Sequence, residues 1–420
     1  MSFQDRIEEY PLNSGRLFLL RTGIDDVVSW RGAVVANPVF EHGQDLHLHL
    51  LAGMLDKGTR RRDRFAIADL LEGCGAQLGF TTSGIRLGFW GRSLRADVPD
   101  VLRVMAEQLR EPAFEGDEFE KARQRGLASV QRSMEDTGYL ASAGLSRLLY
   151  TPRHPNYIMP TEEEMETLRT LQREEVIAFY ERHIGANELL LVMVGDLEAG
   201  EARKAAEEGL GSWGERLASP RFAVKASRRP GGERIVHAMA DRPNLDVRIG
   251  HALTIRRDAD EYPALYLANH ILGGNFSSRL MDTVRDDLGL TYGIHSSLAG
   301  VSTRYEGHWK ISVTLSQEHL ERGIEATLLE VRRFVDEGPT ERELQENRTT
   351  IAGAFNVKLS TTTGLAETML AGLRNRFGPA YLDEWPARIE ALTMEEVRRA
   401  IERHFHPDRA DVSIAGTIVE

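Results

Sequence analysis

The sequence predicts an α+β protein built as a tandem duplication of two similar domains, and three observations predict it. The second half repeats the first in six ordered segments, each half mixes strands with long helices, and a turn-rich stretch separates the halves. The repeat is clearest at the ends. Glu174-Glu175-Val176, Glu181-Arg182-His183 and Val194-Gly195 parallel Glu395-Glu396-Val397, Glu402-Arg403-His404 and Ala415-Gly416, always 221 residues apart. Earlier in each half, residues 27–32 match 245–250, 49–55 match 266–272, 71–79 match 285–293, and 118–123 match 343–348. Residues 212–232 carry Ser219-Pro220 and Arg229-Pro230-Gly231-Gly232, which is linker chemistry. The predicted domains are therefore 1–211 and 233–420.

Two strands open each half, at 17–22 and 27–36 and again at 235–240 and 245–253, where apolar residues alternate or run on. A buried helix follows. In the first half it covers His49–Leu55: Leu46, Leu50 and Met54 recur at i, i+4, i+8, and Leu48, Leu51 and Leu55 make it apolar nearly all round. Gly58-Thr59 marks its expected end. Strands rich in Thr, Ile and aromatics then span 77–90 and 292–314, and several helices follow. Two helices of the second half open on capping boxes, Thr340 with Glu343 and Thr393 with Glu396. Strands at 189–194 and 411–415 close the halves.

Composition narrows the function. With 52 Lys+Arg against 64 Asp+Glu, the net charge is −12, which argues against nucleic acid as a partner. The short basic run Arg60-Arg61-Arg62 reads as a solvated junction between helices. Cys74 is the single cysteine, so neither a disulfide framework nor a thiolate metal site is available. There is no run of 18 apolar residues, and Met1–Tyr10 has no basic stretch leading into an apolar one. The expectation is a cytoplasmic protein with no membrane partner.

Short marks recur in order along the chain: Met54-Leu55-Asp56-Lys57-Gly58-Thr59, Pro112-Ala113-Phe114, His154-Pro155, Val194-Gly195-Asp196, Leu272-Gly273-Gly274, Ser278-Arg279-Leu280 and the segment Arg285–Tyr292. Together they resemble the pitrilysin, insulysin and mitochondrial processing peptidase family of inverzincin metallopeptidases, in its short two-domain form. The resemblance covers essentially the whole chain. It implies that each domain is a mixed, mainly antiparallel sheet with helices on one face, and that two such chains close around an unfolded peptide.

In that family H-x-x-E-H supplies two zinc ligands and the base that activates water, and a glutamate on a later helix completes the site. Here His49 matches the first histidine, while the base falls on Ala52, the second histidine on Gly53, and the later glutamates on Ala122 and Ser129. The motif is degenerate. The resemblance then implies no cofactor in this chain and zinc in a partner. Two readings of His49 stand: a satisfied histidine on a buried helix, or a ligand in a rebuilt site with His42 and Asp45, which share its helical face at i, i+3, i+7.

The other half of a peptidase site is present. Arg285-x-x-x-Gly289-Leu290-x-Tyr292 matches the family's arginine and tyrosine, which lie across the cavity from zinc. A guanidinium and a phenol aimed at a substrate carbonyl stabilise the charge that builds there. Phe80, Thr81 and Thr82 begin the strand on which the family adds substrate backbone, although its usual asparagine is missing from residues 77–81. The resemblance thus implies a non-catalytic subunit of a heterodimeric zinc endopeptidase, beside a homologous subunit with an intact H-x-x-E-H. The alternative is a pseudo-peptidase that binds peptides or scaffolds a complex and has no part in hydrolysis.

Overall fold

The computed structural model describes residues 2–24, 26–36, 43–216 and 231–418. In chain order the first half contains β1 (Ile7–Leu12), β2 (Gly15–Arg21), β3 (Val27–Val35), α1 (Gln44–Ala52), α2 (Arg64–Gly73), β4 (Gln77–Ser83), β5 (Arg86–Leu94), α3 (Val98–Arg110), α4 (Gly116–Met134), α5 (Thr137–Leu149), α6 (Thr161–Thr170), α7 (Arg173–His183), β6 (Leu190–Gly195) and α8 (Ala199–Leu210). The second half contains β7 (Arg234–Ala238), β8 (Asn244–Ala252), α9 (Tyr262–Gly273), a π-helical turn (Met281–Asp287), β9 (Ile294–Ala299), β10 (His308–Ser316), α10 (Leu320–Glu337), α11 (Glu341–Lys358), α12 (Thr362–Arg374), α13 (Tyr381–Ala391), α14 (Met394–His404) and β11 (Asp411–Gly416). Among the described residues no helix is long and apolar enough to cross a membrane.

The α+β duplication is present in the sheets. One has the order β1-β2-β6-β3-β5-β4 and the other β7-β11-β8-β10-β9. Without β1 the two orders are the same. Each sheet has one parallel pair, β2 with β6 and β7 with β11, and is otherwise antiparallel. Gly195 and Gly416 end the equivalent strands β6 and β11, both at φ +145°. β1 was not expected: Glu8, Glu9 and Pro11 interrupt its apolar pattern, as suits an edge strand.

The strand ladders correct the repeat by one residue. Gly32 is opposite Leu191 in its sheet, and the residue at the same rung of the other sheet is Ile249, opposite Val412. Matching Gly32 to Gly250 aligns like residues but shifts the strand by one, which would turn every side chain to the other face.

The chain forms two compact units, Met1–Ser129 with Glu162–Phe222 and Asn356–Glu384, and Val130–Thr161 with Ala223–Phe355 and Trp385–Glu420. Each unit therefore takes a helix from the other half of the sequence. In the first, α12 packs on β3 and β6; Ser29 is 2.9 Å from the Thr362 hydroxyl, and Arg31 pairs with Glu367 at 2.8 Å. In the second, α5 packs on β8 and β11; Thr137 donates to Asp246 at 2.6 Å, and Arg248 donates to Ser142 at 3.1 Å. These contacts fall at matching rungs of the two sheets. Residues 217–230 of the expected linker lie outside the described residues.

Two local expectations change. Helix α1 stops at Ala52 rather than near Gly58, because Gly53 is a poor helix former and Met54 and Leu55 turn inward to full burial. The basic run is not simply solvated: Arg61 forms a two-pronged pair with Glu111 at 2.9 Å, and Arg62 pairs with the buried Glu107 of α3.

Candidate functional site

In the first unit, α1 buries Leu46, Leu48, Leu50, Leu51 and Ala52 and leaves Asp45, His49 and Gly53 exposed. His49 is thus a surface residue on a helix whose leucines are buried. On α4, Ala122 is buried and Ser129 exposed; Gly126 lies on the same face, and a Cβ there would meet Leu168 at 3.4 Å and Leu50 at 3.9 Å. On this face, then, Gly126 lies against leucines while Ser129 is open to solvent.

Glu118 points elsewhere, pairing with Lys121 at 2.8 Å and Arg64 at 3.5 Å. Among the described residues no three His, Cys, Asp or Glu side chains are grouped to hold a metal. His42 of the possible rebuilt site lies outside the described residues. An alanine, a glycine and a serine offer no imidazole or carboxylate, so the motif positions described here do not fit a catalytic zinc.

The second unit brings Arg285 and Tyr292 together. Leu280, Met281 and Val284 bury one side of the π-helical turn and leave Arg285 on the other. The chain then closes back on the turn: Gly289 N–H donates to the Arg285 carbonyl and Leu290 N–H to the Val284 carbonyl, with Gly289 left-handed at φ +62°. Arg285 donates from Nε to the Tyr292 carbonyl at 3.1 Å and pairs with Asp286 at 2.7 Å. Tyr292 lies in the loop before β9, not in a strand, and its side chain is 100% exposed.

Both residues line a groove of about 950 Å³ together with Asn244, Thr314, Glu318 and His319. Nothing in the sequence pointed to these last four, because β8 and the end of β10 enter the groove only through the sheet. Chemically, the groove offers the projecting Tyr292 phenol, the basic side chains of Arg285 and His319, and the carboxylates of Asp286 and Glu318.

The free sheet edges differ between the units. Leu253 N–H bonds to the Gly307 carbonyl, so by antiparallel alternation Ile311 directs its backbone groups at β8, and Ser296 opposite it on β9 directs its own outward. There the Asn269 amide donates to the Ser296 carbonyl at 3.1 Å, and the Ser296 hydroxyl, held also by Trp309 Nε1, returns a bond to Asn269. In the first unit Ala36 N–H bonds to the Ile85 carbonyl, which by the same alternation directs the backbone groups of Phe80 outward from β4. In the sequence match of residues 49–55 with 266–272, Asn269 falls on Ala52, which has no donor to offer. Among the described residues, an amide side chain bonds the Ser296 carbonyl at one edge and no side chain bonds the Phe80 carbonyl at the other.

Comparison with known proteins identifies the relatives of the chain. The family description "Insulinase (Peptidase family M16)" matches residues 48–146, and "Peptidase M16 inactive domain" matches residues 170–351. The non-peptidase homolog YmxG of Helicobacter pylori is 23% identical over 367 residues, covering 84% of this chain and 81% of that protein. The uncharacterized zinc protease YmxG of Bacillus subtilis is 24% identical over 379 residues, 86% of each. A crystal structure of a peptidase M16 inactive domain from Pseudomonas fluorescens shares the fold, with a TM-score of 0.87, 22% identity and 98% of both chains covered.

Proposed function

Because the chain belongs to the pitrilysin-like M16 peptidase family and carries a degenerate form of its zinc motif, we propose that it is the non-catalytic subunit of a heterodimeric zinc endopeptidase. A homologous subunit with an intact H-x-x-E-H holds the metal and the base. This chain contributes a wall of the peptide chamber and the groove around Tyr292. When a peptide carbonyl is attacked, negative charge grows on its oxygen, and a phenolic O–H held toward that oxygen stabilises it. The edge of β4 offers outward-facing backbone groups to an extended peptide. The pair is proposed to work in the cytoplasm, since a single cysteine asks for no oxidising compartment.

The observation that carries this reading is the contrast between the two units. The motif positions of one hold His49, Ala52, Gly53 and Ser129, whereas the other keeps Arg285 hydrogen-bonded to a fully exposed Tyr292. The test is zinc content and peptidase activity of the purified chain, alone and mixed with an H-x-x-E-H homologue from the same genome. The expected result is a lone chain without stoichiometric zinc or activity, and a mixture that cleaves unfolded peptides faster than the homologue by itself. A mixture no faster than the homologue, with Tyr292→Phe silent, would favour the scaffold reading. Zinc and activity in the lone chain would overturn both.

A further inference from the structure

Arg285 and Tyr292 do not present themselves equally to the groove. The tyrosine side chain is fully exposed, while the arginine directs Nε to the Tyr292 backbone carbonyl at 3.1 Å and Nη1 to the Asp286 carboxylate at 2.7 Å. Residues 288–293 are otherwise a short loop with glycine at 289 and 293, where an added Cβ would meet nothing within 4 Å. Its far side is tied by Thr291, whose hydroxyl bonds to the Thr314 carbonyl at 2.6 Å and lies 3.0 Å from the Gly293 carbonyl. Between these two ties the Tyr292 peptide is held at its carbonyl by a charged donor, which makes a stronger bond than a neutral one.

We infer that Arg285 is a positioning residue: it fixes the Tyr292 backbone, and through it the direction of the phenol, while Tyr292 alone of the two touches the substrate carbonyl. Asp286 orients the guanidinium for that task. This deepens the proposed function and rests on it. A phenol on an unpacked side chain is only as well aimed as the backbone that carries it. A displacement of about 1 Å at a reacting centre costs on the order of 10²-fold in rate. The arginine therefore acts at the end of the side chain that it does not touch.

A double-mutant cycle on the assembled peptidase tests this, with kcat/KM measured for the wild type, Tyr292→Phe, Arg285→Ala and the double variant. The expected result is a loss of about 10²-fold for Tyr292→Phe, the size typical of a lost oxyanion donor, a smaller loss for Arg285→Ala, and no further loss when Arg285→Ala is added to Tyr292→Phe. Arg285→Lys, which keeps one charged donor for the carbonyl, should recover part of the loss. Multiplying losses would mean that the guanidinium meets the substrate itself, and the inference would fall.

A second readout does not depend on hydrolysis. With 3-fluorotyrosine at position 292 alone, the ¹⁹F resonance of the isolated chain should shift or broaden in Arg285→Ala and less so in Arg285→Lys. An unchanged resonance overturns the positioning role. If Tyr292→Phe and Arg285→Ala both leave hydrolysis untouched while the resonance responds, the brace stands and the split-site function fails.

Discussion

Asn269 and Ala52 fall at matched positions of the sequence repeat and have opposite consequences for the strand beside them. The Asn269 side chain satisfies the Ser296 carbonyl where a further strand would otherwise pair, while the methyl group of Ala52 leaves β4 as the more receptive edge. An unmanaged edge is a template for pairing with another chain. Ala52→Asn should therefore weaken the binding of an unfolded peptide by roughly 10-fold, about 1.4 kcal/mol, as read by fluorescence anisotropy; unchanged affinity would rule out strand addition at β4. Asn269→Ala leaves the Ser296 carbonyl without its donor and the Ser296 hydroxyl with Trp309 Nε1 alone, and should cost about 1–3 kcal/mol of stability in urea unfolding. At this scale the sequence is legible wherever identity is the message. Ala52, Gly53 and Ser129 announce a degenerate zinc motif without a structure. That His49 faces solvent was not legible, because an almost wholly apolar helix gives no sign of which narrow stripe it leaves uncovered. The four additional groove residues were equally silent, since no local pattern encodes a meeting of β8 with β10.

Elements of the second unit carry an unusual load of buried imidazole. Burial pushes His154 and His251 down to about 4 and His308 down to about 3 from an ordinary value of 6.5, with Lys310 also facing His308. His308 and Tyr150 lie 2.7 Å apart, ring nitrogen to hydroxyl. An unfolded histidine takes up its proton near pH 6.5, and these take it up only near 3–4, so between those limits the unfolded state binds more protons. Stability should thus be full above pH 6.5 and fall as pH drops through 6 and 5, by up to about 1.4 kcal/mol per pH unit for each histidine. Urea melts at pH 7.5, 6 and 5 would show it, and a flat response would mean that the three rings are hydrated. The carboxylates of the capping boxes add to the acid loss at lower pH. Backbone and side-chain bonds from Thr393, with Arg388, hold Glu396 at about 2, so its contribution is present above about 4.5 and fades below it. Both boxes were readable because each is complete within four residues. Thr393→Ala should lower stability by about 1 kcal/mol, measurable as a shifted urea midpoint at constant slope. The end of α1 was less readable, since glycine weakens a helix without dictating where it stops.

On the scale of the whole chain the duplication was legible because the helices before the closing strands share Glu-Glu-Val and Glu-Arg-His at one spacing, and Gly195 and Gly416 close those strands with the same backbone conformation. The rung-by-rung register was not, because matching glycines outvoted the ladder in β3 and β8. Nor was the reciprocal placement of α5 and α12: both are amphipathic helices whose apolar faces fit either sheet equally well as patterns. In the fold that placement is accompanied by the pairs of Ser29 and Arg31 with Thr362 and Glu367, and of Asp246 and Arg248 with Thr137 and Ser142. Residues 1–216 and 231–420, produced separately, should each fail to melt cooperatively and should regain a cooperative transition when mixed. A cooperative melt of either fragment alone would contradict the exchange.

That allotment of helices is the exchange made when two identical chains swap an element, closed here within one chain. Each repeat lends the other the helix that covers its sheet, so neither repeat is a complete folding unit by itself, while the zinc-motif positions of one and the tyrosine loop of the other stay on separate elements.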